Sequence, residues 1–216
     1  MKFAIGCLLV VLLLGGLVAM WVAGVYNGLV GAEESVTTAW AQVETVYQRR
    51  ADLIPNLVAT VKGAADFEQE TLNQVIRARS QATQVGIEAT PDLLNNPEAF
   101  AQFQQAQDGL SSALSRLLVV VERYPELKAV AAFQDLMVQL EGTENRISVE
   151  RNAYNEVARG YNTRIRTVPT AWFIRILGWS FEAKNYFASQ PGAEEAPPVD
   201  FGAPAAAAAD GGTPGQ

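Results

Sequence analysis

From Phe3 to Val25 the chain runs 23 residues without a charge, built mainly of Leu, Val, Gly and Ala. At about 1.5 Å per residue, a helix of that length crosses a hydrocarbon core of roughly 30 Å, so residues 1–25 read as a transmembrane anchor that touches lipid through residues 3–25. A cleaved signal peptide would have an apolar core of only about 7 to 15 residues and a small-residue exit site, which Val22-Ala23-Gly24 matches weakly. Cys7 follows Ala4-Ile5-Gly6, as in a lipidation box, but the apolar segment that should precede such a cysteine follows it instead. Lys2 and the α-amino group flank one side of the run, and the first charges on the other are Glu33, Glu34 and Glu44. The positive-inside rule then puts the N-terminus in the cytoplasm and the following domain outside.

Beyond the anchor, apolar residues recur at intervals of three and four, and strand signals are almost absent. Val36, Trp40, Val43, Tyr47, Arg50, Ile54, Leu57 and Val61 form one stripe, apolar except at Arg50. Only Gly28 and Gly31 weaken a helix between Tyr26 and Thr45, so this helix can be continuous with the anchor. Pro55 predicts a kink or short break, with the helix resuming to about Gln84. A connection follows over 86–97, and Asn96 before Pro97 reads as a helix start. The second helix is expected from Pro97 to Arg123, burying Phe100, Phe103, Leu110, Leu114, Leu117 and Val121, and Tyr124-Pro125 closes it. A third helix, opened by Pro125, has the most regular pattern. Phe133, Met137, Leu140, Glu144, Ile147, Arg151, Tyr154, Ala158, Tyr161 and Ile165 hold ten positions in register before Val168-Pro169 ends it.

Long helices with short links must lie up and down beside each other to bury such stripes. The expected class is therefore all-α: an N-terminal transmembrane helix, an antiparallel helical bundle over 26–187, and a tail over 188–216. From Ser189 onward there are five Pro, five Gly, eight Ala and four acids, with Val199 and Phe201 as the large apolar residues. That composition cannot offset its ordering entropy and reads as disordered.

Composition narrows the chemistry. With 216 residues the chain is long enough for one domain with a true core. It contains no His, which removes Ser-His-Asp and Cys-His catalysis and every His-containing zinc site. A net charge of −7 and a pI near 4.7 argue against nucleic acid as a partner. No Asp/Glu cluster has metal-ligand spacing, and no cofactor is implied.

The informative residues are polar groups on stripes that should be dry. Arg50, Glu144 and Arg151 occupy seam positions, Arg49, Asp52 and Asn56 lie beside the first of them, and Tyr154-Asn155 and Tyr161-Asn162 repeat seven residues apart. Buried Arg and Glu are tolerated when paired, so these residues are expected to form an interhelical network that fixes register. A contact surface or ligand pocket is the sharper alternative, and catalysis by carboxylates such as Glu144 the weakest.

Taken together, YNGLV at 26–30, AWAQVETVYQRRADLIPNLVATVK at 39–62, RARSQA at 77–82, YPELKA at 124–129, FQDLMVQLEGTENRISVERNAYNEVARGYNTRIRTVP at 133–169 and LGWSFEAKNYF at 177–187 resemble the LemA family. The resemblance runs in order from the anchor to Phe187. It implies a bacterial single-pass membrane protein with an antiparallel helical bundle, and it supplies no established enzymatic activity. Val168 stands where the family often has an aromatic, and the Ala/Pro-rich tail is long for the family.

Trp172, Phe173, Trp179, Phe181, Tyr186 and Phe187 place six aromatics in sixteen positions. They either plug the end of the bundle or form a contact surface against the membrane or a second copy. With the anchor and the heptad-like seams, this favours a non-enzymatic scaffold that self-associates into a homo-oligomer or organises other membrane proteins. An adaptor of a membrane protease or envelope-stress system is the second reading, and a carboxylate-dependent hydrolase using Glu144 or Asp52 the third.

Overall fold

The computed structural model describes residues 2–63, 67–86 and 90–188. The predicted tail therefore lies, from Ser189 on, outside the described residues. Every regular element among the described residues is a helix: α1 (Lys2–Lys62), α2 (Gln69–Gln84), α3 (Pro91–Asn95), α4 (Pro97–Val121), α5 (Pro125–Lys128), α6 (Ala131–Arg166) and α7 (Thr170–Leu177). The class is all-α.

α1 is a single rod of 61 residues, about 90 Å at the usual helical rise. Its N-terminal part is long and apolar enough to cross a membrane, with its side chains exposed all round. The part beyond Leu29 lies against the other helices. Gly28 is opposite Arg164 and Arg50 opposite Glu144, so α1 and α6 run antiparallel in one register. α2 returns beside α1, α4 ascends again, and α6 descends towards the anchor.

Pro55 does not break α1, so of the kink or short break expected there the break does not occur. A helical proline leaves the carbonyl four residues earlier without its donor. Here that carbonyl belongs to Ala51, and the guanidinium Nε of Arg79 on α2 donates to it at 2.9 Å. α1 ends instead at Lys62, just past Val61, the last member of the stripe. α2 is thus a separate helix rather than a resumption of α1. Arg79→Ala is expected to leave the Ala51 carbonyl unsatisfied and to cost about 1–3 kcal/mol, read as a lower urea midpoint with unchanged slope.

The start of α4 follows the sequence reading. The Asn96 side chain accepts from the backbone N–H groups of Glu98 and Ala99, and Pro97 takes the first helical position. Pro125, by contrast, opens only the single turn of α5, which buries Leu127 at the far end; α6 starts afresh at Ala131.

Two apolar clusters form the core. The one nearer the anchor gathers around Trp40, with Val36, Tyr47, Phe100, Phe103, Ile147, Tyr154 and Phe187. The distal one gathers around Leu57, with Ile54, Leu72, Leu110, Leu117 and Leu140.

Candidate functional site

The stripes that build the two clusters are interrupted at one level. Arg50 lies between Tyr47 and Ile54 on α1, Gln107 between Phe103 and Leu110 on α4, and Glu144 between Leu140 and Ile147 on α6. Together they make a polar layer across the bundle. Arg50 is 1% exposed and donates from Nη1 to Ser111 Oγ at 2.7 Å and to Glu144 Oε1 at 2.9 Å. From Nη2 it donates to the side-chain and backbone oxygens of Gln107. Gln107 passes the chain of bonds on to the Ala82 carbonyl of α2. One guanidinium thus ties α1 to α4 and α6, with α2 joined through Gln107, and its planar fork of donors suits this task.

Glu144 is 39% exposed and also accepts from Ser111 Oγ at 3.4 Å. It stands at one end of a groove of about 390 Å³ between α4 and α6, walled by Leu114, Leu118, Met137 and Leu140 over Leu57 of α1. Arg151 makes its own pair with Asp108 of α4 at 3.2 Å.

Arg49, Asp52 and Asn56 are exposed and take no part in this layer, which corrects their placement beside Arg50. They lie on the outer side of α1, where Asp52 accepts from Gln48. The Tyr-Asn repeats also do something other than bridge helices. Asn155 donates to the Phe187 carbonyl at 3.0 Å and accepts from its N–H at 2.9 Å. Asn162 does the same to Lys184, at 2.8 Å for both bonds. Gln104 on α4 grips Ala188 in the same two-sided way. A side-chain amide sets an NH2 donor beside a carbonyl acceptor, so each forms a small bridge to an extended backbone. The three together pin residues 184–188 along α6, and Tyr154 adds a bond to the Asn185 carbonyl.

This clamp decides the fate of the aromatic segment. Phe187 is buried, stacks on Trp40 at 5.6 Å and is no contact surface. Trp179 and Phe181 pack edge-on to Tyr26, and Phe173 packs on Trp21. Tyr186 accepts from Asn162 at its hydroxyl, leaving Trp172 the most exposed of the six.

Cations in the layer and clamp rest on aromatic faces: Arg50 on Tyr47 at 5.0 Å, Arg151 on Phe187 at 4.5 Å and Lys184 on Tyr161 at 5.3 Å. The rings take up charge that hydrogen bonds leave over, since Arg50 Nε and Arg151 Nη2 find no partner among the described residues. Lys184 also reaches Glu33 at 2.8 Å and Asn95 at 3.0 Å, joining the clamp to α1 and α3.

Burial pushes the Tyr47 hydroxyl from its ordinary value near 10 up to about 12, with Arg151 and Arg50 opposing part of the shift. Burial also raises Tyr154 and Tyr161. A folded-state value above the unfolded one means stability that is intact below pH 10 and is lost as pH climbs towards 12 and beyond. With three such groups the loss is expected to approach about 4 kcal/mol per pH unit, measured as the slope of unfolding free energy against pH between 10 and 12.

Gln107, Ser111, Asp108, Gln104 and Lys184 were not singled out by sequence reasoning. Gln107 carried a signal nonetheless, since it fills the gap between Phe103 and Leu110 at seam spacing. No group of three or more His, Cys, Asp or Glu that could hold a metal occurs among the described residues.

An antiparallel helical bundle borne on a long apolar helix, with a polar layer and an amide-clamped C-terminal strap, defines the class of protein. The family model described as LemA family matches residues 39–201, about three-quarters of the chain, and the chain belongs to that family. It is 28% identical over 181 residues to magnetosome protein MamQ 2 of Paramagnetospirillum magneticum and 27% identical over 180 residues to MamQ of Magnetospirillum gryphiswaldense. Each alignment covers 77% of this chain and 65% of the relative, so the chain spans less than two-thirds of those proteins. Protein LemA of Metamycoplasma hominis is 22% identical over 141 residues, 65% of this chain and 59% of its own.

Proposed function

We propose that this protein is a non-enzymatic, membrane-anchored scaffold that self-associates or organises partner proteins at the bacterial inner membrane. Residues 3–25 cross the bilayer, the Lys2 side faces the cytoplasm, and the bundle stands outside. The observation that carries this reading is the continuity of α1 from Lys2 to Lys62: anchor and bundle share one rod, with no flexible linker between them. The polar residues that suggested chemistry support the same reading. Glu144 is engaged by Arg50 and Ser111, and Arg151 by Asp108, as packing groups rather than groups aimed at a substrate. Relatives named for the magnetosome fit a part in an assembly.

The groove between α4 and α6 favours a second reading, an adaptor that holds a segment of a protease or envelope-stress partner. The two are separated by native mass of the full-length protein in nanodiscs, taken from the crude extract and after purification to one component. A scaffold keeps a large mass when pure. A chain that is monomeric when pure and large only in the extract is an adaptor, and its companion there names the pathway.

A further inference from the structure

α7 is short, yet it exposes large apolar side chains. Trp172 is 61% and Ile176 77% exposed, spaced four apart on one face of the helix and flanked by exposed Leu177, with exposed Val168 in the turn before it. In water an isolated helix of this length is not stable by itself, so its position is set by what holds it. What holds it is α1: Phe173 meets Trp21 edge to face at 5.3 Å, and Trp179 meets Tyr26 at 5.1 Å. Trp21 and Tyr26 mark the end of the uncharged run, the level where aromatic side chains sit at a membrane–water boundary. The stripe is therefore fixed beside the last turns of the apolar helix and exposed outward at the same height.

The charges around it point the same way. From Val157 to Phe181 the chain has Arg159, Arg164, Arg166 and Arg175 and no acidic residue, although the whole chain carries a net charge of −7. Glu33 is paired with Lys184, and Glu182, just past Phe181, accepts from Asn95. Arg175 on α7 and the exposed Arg164 and Arg166 in the last turn of α6 give exposed Trp, Ile and Leu a basic edge, which suits a headgroup layer that contains anionic lipid.

We propose that α7 is a second membrane contact, its Trp172 and Ile176 face seated in the interface of the bilayer that α1 crosses and the exposed Arg164, Arg166 and Arg175 beside it facing lipid phosphates. This rests on the reading of residues 3–25 as the anchor. The contact clamps the foot of the bundle to the surface, so that the bundle neither tilts freely nor turns about α1.

The test uses the full chain with Cys7→Ser and one nitroxide at a time, on Ile176→Cys, Leu13→Cys or Val119→Cys, in vesicles of phosphatidylcholine mixed with phosphatidylglycerol. Val119 is exposed on α4 towards the end remote from the anchor and reports water, and Leu13 reports the anchor. The label at 176 is expected to lose its collisions with a water-soluble nickel chelate and to gain collisions with oxygen, as at 13 and unlike 119. If 176 is as open to nickel as 119 while 13 is in lipid, the α7 contact is overturned and the anchor stands. If 13 is also open to nickel, the anchor reading fails and the α7 contact with it. If 176 is shielded from both reagents and shows spin–spin broadening between chains, a second copy covers the stripe and the proposal is again overturned.

Discussion

Arg50→Ala is expected to lower the unfolding free energy by about 3–5 kcal/mol, the scale for removing one partner of a buried ion pair. Arg50 is 1% exposed and is the hub through which α1 holds α4 and α6, with Gln107 carrying the connection to α2. The alanine variant leaves Gln107, Ser111 and Glu144 without their common donor and opens a void at the level where the two apolar clusters meet. Glu144→Ala is expected to cost less, because the 39% exposed carboxylate is partly served by water and Arg50 keeps Ser111 and Gln107. Arg50→Met separates charge from volume. It refills the void without the fork of donors, so it is expected to recover part of the loss, as apolar replacements of buried ions often do. The measurement is urea unfolding in detergent micelles followed by helical circular dichroism. If Arg50→Ala melts like the parent, the polar layer does not stabilise the bundle.

Trp40→Ala is the second large effect, expected at about 3–5 kcal/mol for a fully buried aromatic. Trp40 meets Phe100, Phe103, Tyr154 and Phe187 with ring centroids between 5.1 and 5.9 Å. Two of these rings come from α4, one from α6 and one from the strap, so the indole joins elements that are distant in sequence. Its removal is expected to loosen the strap before the bundle. Hydrogen exchange at the Lys184 and Phe187 amides, which Asn162 and Asn155 hold, should therefore accelerate more than exchange at the middle of α6. Equal acceleration everywhere would mean that the strap is not a separate unit.

Much of the fold was legible because helical periodicity is a local property. The ten-position register from Phe133 to Ile165 lies in one helix, and the stripe from Val36 to Val61 lies in another. Asn96-Pro97 marked the start of α4 because cap chemistry involves only the next turn. Pro55 misled for the complementary reason: whether a proline breaks a helix depends on who satisfies the freed carbonyl, and the donor is Arg79, 28 residues later. In the same way Arg50 and Glu144 could be recognised as needing partners, but not that Ser111 and Gln107 complete the set.

The sequence by itself determined the helical class, an apolar run long enough to span a membrane, which faces are buried, and that the charged seam positions require pairing. Each of these follows from spacing or from the cost of burying a polar group, and both are written in neighbouring residues. Only the tertiary structure decided that Asn155, Asn162 and Gln104 are clamps on a backbone strap rather than bridges between helices. It alone also decided that Phe187 belongs to the core while Trp172 and Ile176 stay outside. An amide side chain binds any donor–acceptor pair that comes within reach, and an aromatic ring is buried by any apolar neighbour. Which neighbour arrives is fixed by the antiparallel register of α1 and α6 and the path of the chain after Gly178, and no local pattern encodes either.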